Sequence, residues 1–327
     1  MKYDFITVGG TTRDISFFTD QGVVVDNKND ILRQKLLGFE YGAKIKVDKF
    51  YYSFGGGAAN AAVCLANFGL KTACLAPIGA DYSGRLIIEN LRERKVDARL
   101  IKKIKGEESG SSFILIDPSG ERIIFAQRGA NTSLKIGRKD MYYLRRTKGI
   151  YIASLAGEWL KNLDNIFSVV GAQGPNVFWN PGTTQLVGGA EKIKMYLEKT
   201  TVLACNKEEA LTLVLNSEKY KKVNHKFLNK PENLIKIIHQ FGPKIIVITM
   251  GSDGVIVFDG RKIIKQAIIK EKKRVDTTGV GDIFNSSFAA GLTLYKGSIN
   301  KALKLSLRNA AAKVTHIGAQ TNLIKKL

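Results

Sequence analysis

The 327-residue sequence contains no apolar run of eighteen or more residues, so it offers no single helix able to span a bilayer. Its start, MKYDFITVGG, carries charges where a secretion signal needs an uninterrupted apolar segment, and a soluble cytoplasmic protein is expected. Cysteine and histidine are scarce. Cys64, Cys74 and Cys205 are odd in number and lack C-x-x-C spacing, while the histidines stand far apart at 225, 239 and 316, which argues against a disulfide framework and a zinc site. No G-x-x-x-x-G-K-[ST] occurs, which excludes a P-loop, and no G-x-G-x-x-G follows the first apolar run, so the nicotinamide fingerprint is missing too. Acids are few beside bases: 29 Asp and Glu against 51 Lys and Arg give a net charge of +22. Such a balance favours polyanions. Yet the bases are scattered along the chain, with only short groupings such as KEKKR at 270–274, and no nucleic-acid-binding motif accompanies them. A solvated basic surface is the expected meaning, and no specific nucleic-acid partner is expected.

What is present is a globular composition, 44% hydrophobic, with a strand and helix rhythm. KYDFITVGG reads as a buried strand at the edge of an α/β sheet. Residues 15–53 mix β-branched, aromatic and charged residues, as exposed strands outside a main sheet do. GGGAANAAVCLANFG, from Gly55, is a glycine turn entering a helix of small residues that Gly69 stops. KTACLAPIG reads as a strand, a helix follows from about Gly84 to Arg94, and SSFILIDPSGERIIFAQ reads as a hairpin about Asp117-Pro118-Ser119-Gly120. IYIASL, NVFWNPG, TVLACN and KIIVITMG each read as a strand running into a polar or glycine-rich loop, with helices around 207–215 and 232–240. This predicts a mainly parallel sheet with helices on both faces. Ligands then belong at the carboxyl ends of the strands: Gly9 to Asp14, Asn206 to Glu209, Thr249 to Gly254 and Asp276 to Asp282. No repeat or linker divides the chain, so one domain over 1–327 is expected.

In DTTGVGDIFNSSFAAGL (276–292), Gly279, Gly281 and Asp282 precede Phe284, Phe288, Leu292 and Tyr295 at helical spacing. An acid therefore stands in the first turn of a buried helix. Two readings are open: Asp282 caps the helix by accepting a free backbone N–H, or the turn and the helix N-terminus form an anion site with Asp282 as a base beside it. Phosphoryl transfer needs such parts, namely a base to orient the attacking hydroxyl, N–H donors for the equatorial oxygens, and an acid to hold Mg²⁺.

The stretches GGGAANAAVCLANFGLKTACLAPIGADYSGRL (55–86) and DTTGVGDIFNSSFAAG (276–291) resemble the two signatures of the PfkB (ribokinase-like) carbohydrate kinases. NKEEA at 206–210, TMGSDG at 249–254 and IGAQ at 317–320 fall in the family's order, so the resemblance covers nearly all of the chain. It implies a ribokinase-like three-layer α/β/α fold with a mainly parallel central sheet and a small β-strand lid from about 15–53 and 109–128. It implies transfer of the γ-phosphoryl of MgATP to a sugar hydroxymethyl group, with Asp282 as catalytic base and the amides of Gly279, Val280 and Gly281 as anion hole. Asp14, Gly56 and Asn60 match sugar-contacting positions. Asp14 alone would read as a turn residue, whereas the Asn60 amide, set among alanines, needs partners, and a ligand is preferred as one. Thr12 stands where ribokinases usually have asparagine, and 154–157 holds no glutamate where ribokinases place another sugar contact, so ribose itself is not the expected acceptor. Arg128, in QRGAN, reads equally as a solvated side chain or as a contact to an acidic substrate. Asn206 and Glu209 match an N-x-x-E motif that acts on Mg²⁺ and phosphate through water; an N-capped helix explains them equally well. Thr249, Gly251 and Gly254 resemble the loop lining the nucleotide, with Asn309 by the adenine.

In many relatives a monovalent cation, K⁺, is enclosed mostly by backbone carbonyls, and the matching positions are Asp276, Thr278, Lys313, His316, Gly318 and Asn322. Lys313 leaves an alternative open, in which its own charge replaces the ion's. Lid strands in this family pair between subunits, which implies a homodimer. Two alternatives share the fold, a nucleoside kinase and a sugar-phosphate kinase. One of another class is a nucleic-acid-binding protein on an inactive kinase scaffold, against which the intact Asp282 and its glycine turn argue.

Overall fold

The computed structural model describes residues 2–27, 35–47, 49–119, 121–271 and 273–325. The chain opens with β1 (Phe5–Val8) and four further strands, β2 (Thr12–Phe18), β3 (Val23–Asp26), β4 (Lys35–Gly38) and β5 (Phe50–Gly55). Next come α1 (Gly57–Asn67), β6 (Thr72–Leu75), β7 (Pro77–Gly79), α2 (Tyr82–Glu93), β8 (Lys102–Ile104), β9 (Ser111–Ile116) and β10 (Arg122–Gln127). The middle runs α3 (Arg138–Arg145), β11 (Gly149–Ile152), α4 (Trp159–Phe167), β12 (Asn176–Trp179), α5 (Thr183–Leu186), α6 (Gly189–Leu197) and β13 (Val202–Asn206). It continues through α7 (Lys207–Leu215), α8 (His225–Leu228), α9 (Pro231–His239), β14 (Ile245–Thr249), β15 (Val255–Phe258) and β16 (Ile263–Gln266). Two long helices, α10 (Val280–Leu294) and α11 (Ile299–Lys313), complete it.

The main sheet has the order β16-β15-β14-β13-β12-β11-β1-β6, parallel from β14 to β6 and antiparallel at β15 and β16. Strands β1, β6 and β11 are buried at every residue because both faces are covered. Ile6, Val8, Ile150, Ile152, Val177 and Trp179 pack into a core with α4, α6, α7 and α9. The alternate residues Phe5, Tyr151, Phe178, Val202 and Val247 pack on the other side with α1, α10 and α11. The result is three layers, α/β/α. A four-stranded sheet, β10-β9-β2-β5, stands apart over the carboxyl ends of the main strands, and β3 and β4 form a separate hairpin. Among the described residues no helix is long and apolar enough to cross a membrane.

Several expectations are corrected. Strand β1 is not at the edge: it pairs with β11 on one side and β6 on the other. KTACLAPIG is two strands, with β6 in the main sheet and β7 pairing with β8 elsewhere. Helix α2 starts at Tyr82, two residues before Gly84, because Asp81 Oδ1 accepts the Gly84 N–H at 2.7 Å and caps it there. The lid sheet begins at Thr12, and the parts of the expected lid at 28–34 and 48 lie outside the described residues, as does Gly120 of the hairpin turn.

Candidate active site

A cavity of about 290 Å³ opens between the lid sheet and the carboxyl ends of β13 and β14. Strand pairing decides which lid side chains face it. Asp14 pairs with Ser112, and Ile124 with Ile114, so these residues share one face of the lid with Thr12 and Arg122, and all of them line the cavity. The opposite lid face carries Tyr52, Ile15, Phe113 and Phe125 in one cross-strand row.

The cavity floor is the start of α10. Gly279 is its N-cap, with φ of 73°, and a Cβ there would lie 2.5 Å from the Ala319 Cβ, so only glycine fits both the left-handed turn and the contact. Asp282 stands three residues further in. Its Oδ2 accepts from Asn60 Nδ2 at 2.8 Å and not from a backbone N–H, which overturns the cap reading of its side chain. Burial pushes its carboxyl above the ordinary range, against the lowering influence of the Asn60 amide and the positive Arg122. The N–H of Val280 donates to the Thr277 carbonyl at 3.2 Å, so the expected three-amide hole loses that member. Gly279 and Gly281 line the cavity beside Asp282, at a helix N-terminus, where an anion is stabilised.

Asn60 is the second part of this arrangement. Its Oδ1 accepts from Gln320 Nε2 at 3.1 Å, and Gln320 Oε1 accepts from Asn90 Nδ2 at 2.8 Å. A relay of amides thus holds the base. The partners that the buried Asn60 amide requires are supplied largely by protein, although the residue also lines the cavity. At Gly56, with φ of 87°, a Cβ would lie 2.5 Å from the Gly10 carbonyl oxygen and the Thr11 Cα, so only glycine fits there before α1 begins.

Three buried polar atoms on the cavity wall have no partner among the described residues: Asp14 Oδ1, Arg122 Nε and Asn285 Oδ1. Buried groups of this kind are normally satisfied, so their convergence marks where a polar ligand would bind. Burial pushes Asp14 up to about 6, opposed by the hydroxyls of Thr12 and Ser112 and reinforced by the charges of Asp276 and Asp282. Glu209 is pushed up to about 7, again chiefly by burial, with an opposing hydrogen bond from the Asn206 backbone and a reinforcing charge at Asp282. Asn206 and Glu209 form a complete capping box: Asn206 Oδ1 accepts the Glu209 N–H and Glu209 Oε2 accepts the Asn206 N–H, both at 2.8 Å. Both also line the cavity, so the capping and ligand roles are compatible.

Behind the floor, Lys313 is fully buried at the end of α11. Its Nζ donates to the Asp276 carbonyl at 2.7 Å and lies 3.5 Å from Asp276 Oδ2. The Asp276 carboxylate accepts the N–H of Thr278 at 2.7 Å and that of Gly318 at 2.8 Å. Burial alone would raise this carboxyl, but the Lys313 charge and the two N–H groups hold it below its ordinary value. Lys313 itself is pushed down to about 8 by burial, against the pull of Asp276.

Not every expected residue belongs to the site. Arg128 is exposed and reaches only Thr184 Oγ1, at 3.4 Å; the lid arginine in the cavity is Arg122, whose Nη1 donates to Thr277 Oγ1 at 2.6 Å. Asn309 is fully buried between α1, α10 and α11, its amide donating to Ser287 Oγ at 2.8 Å and its carbonyl oxygen accepting from Ile324 N at 2.8 Å, so it is not available to an adenine. His316 is exposed and bonded to Thr315, and the exposed Asn322 donates to the Ala312 carbonyl. Thr249 lines the cavity, whereas Gly251 and Gly254 sit beyond it on the following turn, with φ of 57° and 88°. Besides Arg122, the sequence reading missed Asn180 and Asn285. Asn285 carried a usable signal, one helical turn from Asp282; Asn180 directly follows the last residue of β12, a strand end that the sequence reading did not single out.

A family profile described as pfkB family carbohydrate kinase matches residues 20–326. An ATP-dependent 6-phosphofructokinase of Thermoanaerobacterium thermosaccharolyticum is 26% identical over 326 residues, covering 94% of each chain. Mouse ribokinase is 26% identical over 288 residues, 86% of this chain and 84% of the relative. Among solved structures, ribokinase of Arabidopsis thaliana complexed with ribose and ATP superposes with a TM-score of 0.76 at 21% identity, covering 99% of this chain and 96% of the other. A nucleoside kinase of Burkholderia thailandensis in complex with inosine gives 0.73 at 16% identity, covering 98% and 94%. At these identities the structural likeness shows a shared fold.

Proposed function

The chain belongs to the pfkB family of carbohydrate kinases, and on that premise we propose that it transfers the γ-phosphoryl of MgATP to a hydroxymethyl group of a sugar. One observation carries the reading. A half-buried carboxylate, Asp282, stands beside the Gly279 and Gly281 turn at the mouth of α10, in a cavity that holds polar wall atoms without partners. Asp282 accepts the proton of the attacking hydroxyl as the new O–P bond forms and the bond between the γ-phosphorus and the bridging oxygen of ADP breaks. The glycine turn receives the transferring phosphoryl, and Asp14, Thr12 and Asn285 hold the acceptor. Thr249, at the carboxyl end of β14 on the cavity wall, and the turn after it take the nucleotide side.

Among the described residues no cluster of three or more acids, histidines or cysteines could hold a metal by itself. The donor set suits Mg²⁺ that arrives on the nucleotide phosphates, with Glu209 meeting it through water. A divalent cation would also relieve the crowding of Glu209 and Asp282, whose carboxyls burial raises, with the charge of Asp282 raising Glu209 further. The ion would neutralise charge on the phosphates.

Arg122 favours a second reading, in which the acceptor already carries an anion. Its unpartnered Nε in the cavity suits a sugar phosphate better than a neutral sugar. Screening pentoses, hexoses, their phosphates and nucleosides for acceptor-dependent ADP release separates these readings. An Arg122→Gln variant should raise KM for a phosphorylated acceptor and leave that for a neutral one nearly unchanged. If no acceptor stimulates ADP release above an Asp282→Asn control, the kinase reading fails.

A further inference from the structure

The turn that receives the phosphoryl group is braced from behind, and the brace carries its own positive charge. Residues 275–279 lie against the segment that follows α11: the N–H groups of Val275 and Asp276 donate to the Val314 carbonyl at 2.8 and 3.2 Å, and Asp276 clamps the N–H of Gly318. Ala319, next to Gly318, packs against Gly279, and Gln320 holds Asn60, which holds Asp282. Placement of the base and of the glycine turn thus depends on the Asp276 junction.

The positions that a monovalent cation would use do not fit one here. The Asp276 carbonyl already accepts from the Lys313 ammonium. The Lys313 carbonyl accepts from the His316 N–H at 3.1 Å, and the Gly318 carbonyl from Thr321 Oγ1 at 2.7 Å. His316 and Asn322 turn to the surface. A potassium ion on the Asp276 carbonyl would sit beside a buried ammonium, and two like charges in a low-dielectric interior repel strongly.

We infer that the Lys313 ammonium is a built-in substitute for a monovalent cation, a positioning residue that orients the phosphoryl-receiving turn and makes turnover independent of potassium. This rests on the kinase reading above. Lys313 touches no reacting atom. It acts through the Asp276 carbonyl, whose amide plane sets the direction of the turn running to Gly279, and a fixed cation behind such donors preorganises them.

The test compares potassium with tetramethylammonium at matched ionic strength and pH 7, using an acceptor from the screen. Wild-type kcat should agree within about twofold between the two salts. Lys313→Met, similar in length and uncharged, should lose at least about tenfold in tetramethylammonium and recover a large part of that loss in potassium, which fills the vacated charge. Potassium rescue is the outcome a merely structural lysine would not give. Strong potassium activation of the wild type, or a Lys313→Met enzyme that is fully active without potassium, overturns the inference. If the variant does not fold, the wild-type comparison still decides. If the screen yields no acceptor, MgADP affinity of the wild type by calorimetry replaces kcat: equal affinity in both salts supports the inference, and tighter binding in potassium overturns it.

Discussion

An asparagine in place of Asp282 would keep the shape of the side chain and lose its basicity. Asp282→Asn should therefore lower kcat by about 10²–10⁴-fold while leaving the calorimetric ATP affinity nearly unchanged, and a variant with near-normal turnover would remove the general-base role. Because burial raises the Asp282 carboxyl, the acidic limb of the wild-type rate profile should lie above the ordinary aspartate range, with the rate falling as pH drops through it. Asp14 makes a different prediction. Its pKa rises from 3.8 to about 6 on folding, so the neutral form is the one the fold prefers. Its contribution to stability is complete below 3.8 and is lost as pH rises through about 6. Asp14→Asn should abolish acceptor binding yet stabilise the ligand-free protein at pH 7.5 by about 1–3 kcal/mol, with a smaller gain at pH 5. Thermal melts showing no gain at the higher pH would mean that Asp14 is not buried as a charge.

At the scale of elements, the mouth of α10 is a glycine turn closed by a neighbouring segment, and its two constraints can be separated. Gly279 and Gly297 both have positive φ, 73° and 85°, but a Cβ at Gly279 strikes Ala319 while one at Gly297 meets open space. Each alanine variant should lose about 1–2 kcal/mol of stability from the left-handed backbone alone. Only Gly279→Ala should also lose kcat, by about tenfold or more, because the clash pushes the 318–320 segment away from Asn60 and the base. Equal kinetic effects at the two positions would show that the turn tolerates displacement.

At the scale of the whole molecule, two surface properties await partners. Phe50, Tyr52, Phe113 and Phe125 are 47–60% exposed on the outer face of the lid, an apolar array that pairing with a second copy would cover. We expect a dimer by sedimentation, and Phe113→Lys should shift it towards monomer; a wild-type monomer at micromolar concentration would end that expectation. The +22 charge concerns polyanions. Nucleic-acid binding should be sequence-blind and fall steeply with salt, and it should leave turnover unchanged. Tight binding of a preferred sequence at physiological salt would favour the scaffold alternative.

Local chemistry was legible in the sequence wherever neighbours along the chain determine it. The glycine turn before α10, the Asn206 and Glu209 capping box, the stop at Gly69 and the alternation of the 111–127 hairpin all depend on backbone preference and short-range hydrogen bonds. Asp282 was found with them, but not the side-chain bond that holds it, because Asn60 is 222 residues away. The lid arginine was misplaced for a related reason. Arg122 and Arg128 are near neighbours in sequence, and only the pairing of β10 with β9, which sets Arg122 opposite Ile116, turns the former into the cavity while the latter lies past the strand's end. Lys313 was placed beside Asp276 only by the family resemblance, which left open whether its own charge or an ion's serves there. Folding brought it onto the Asp276 carbonyl and removed both from water, and no local pattern encodes that, because burial is a property of the packed layers and not of the segment.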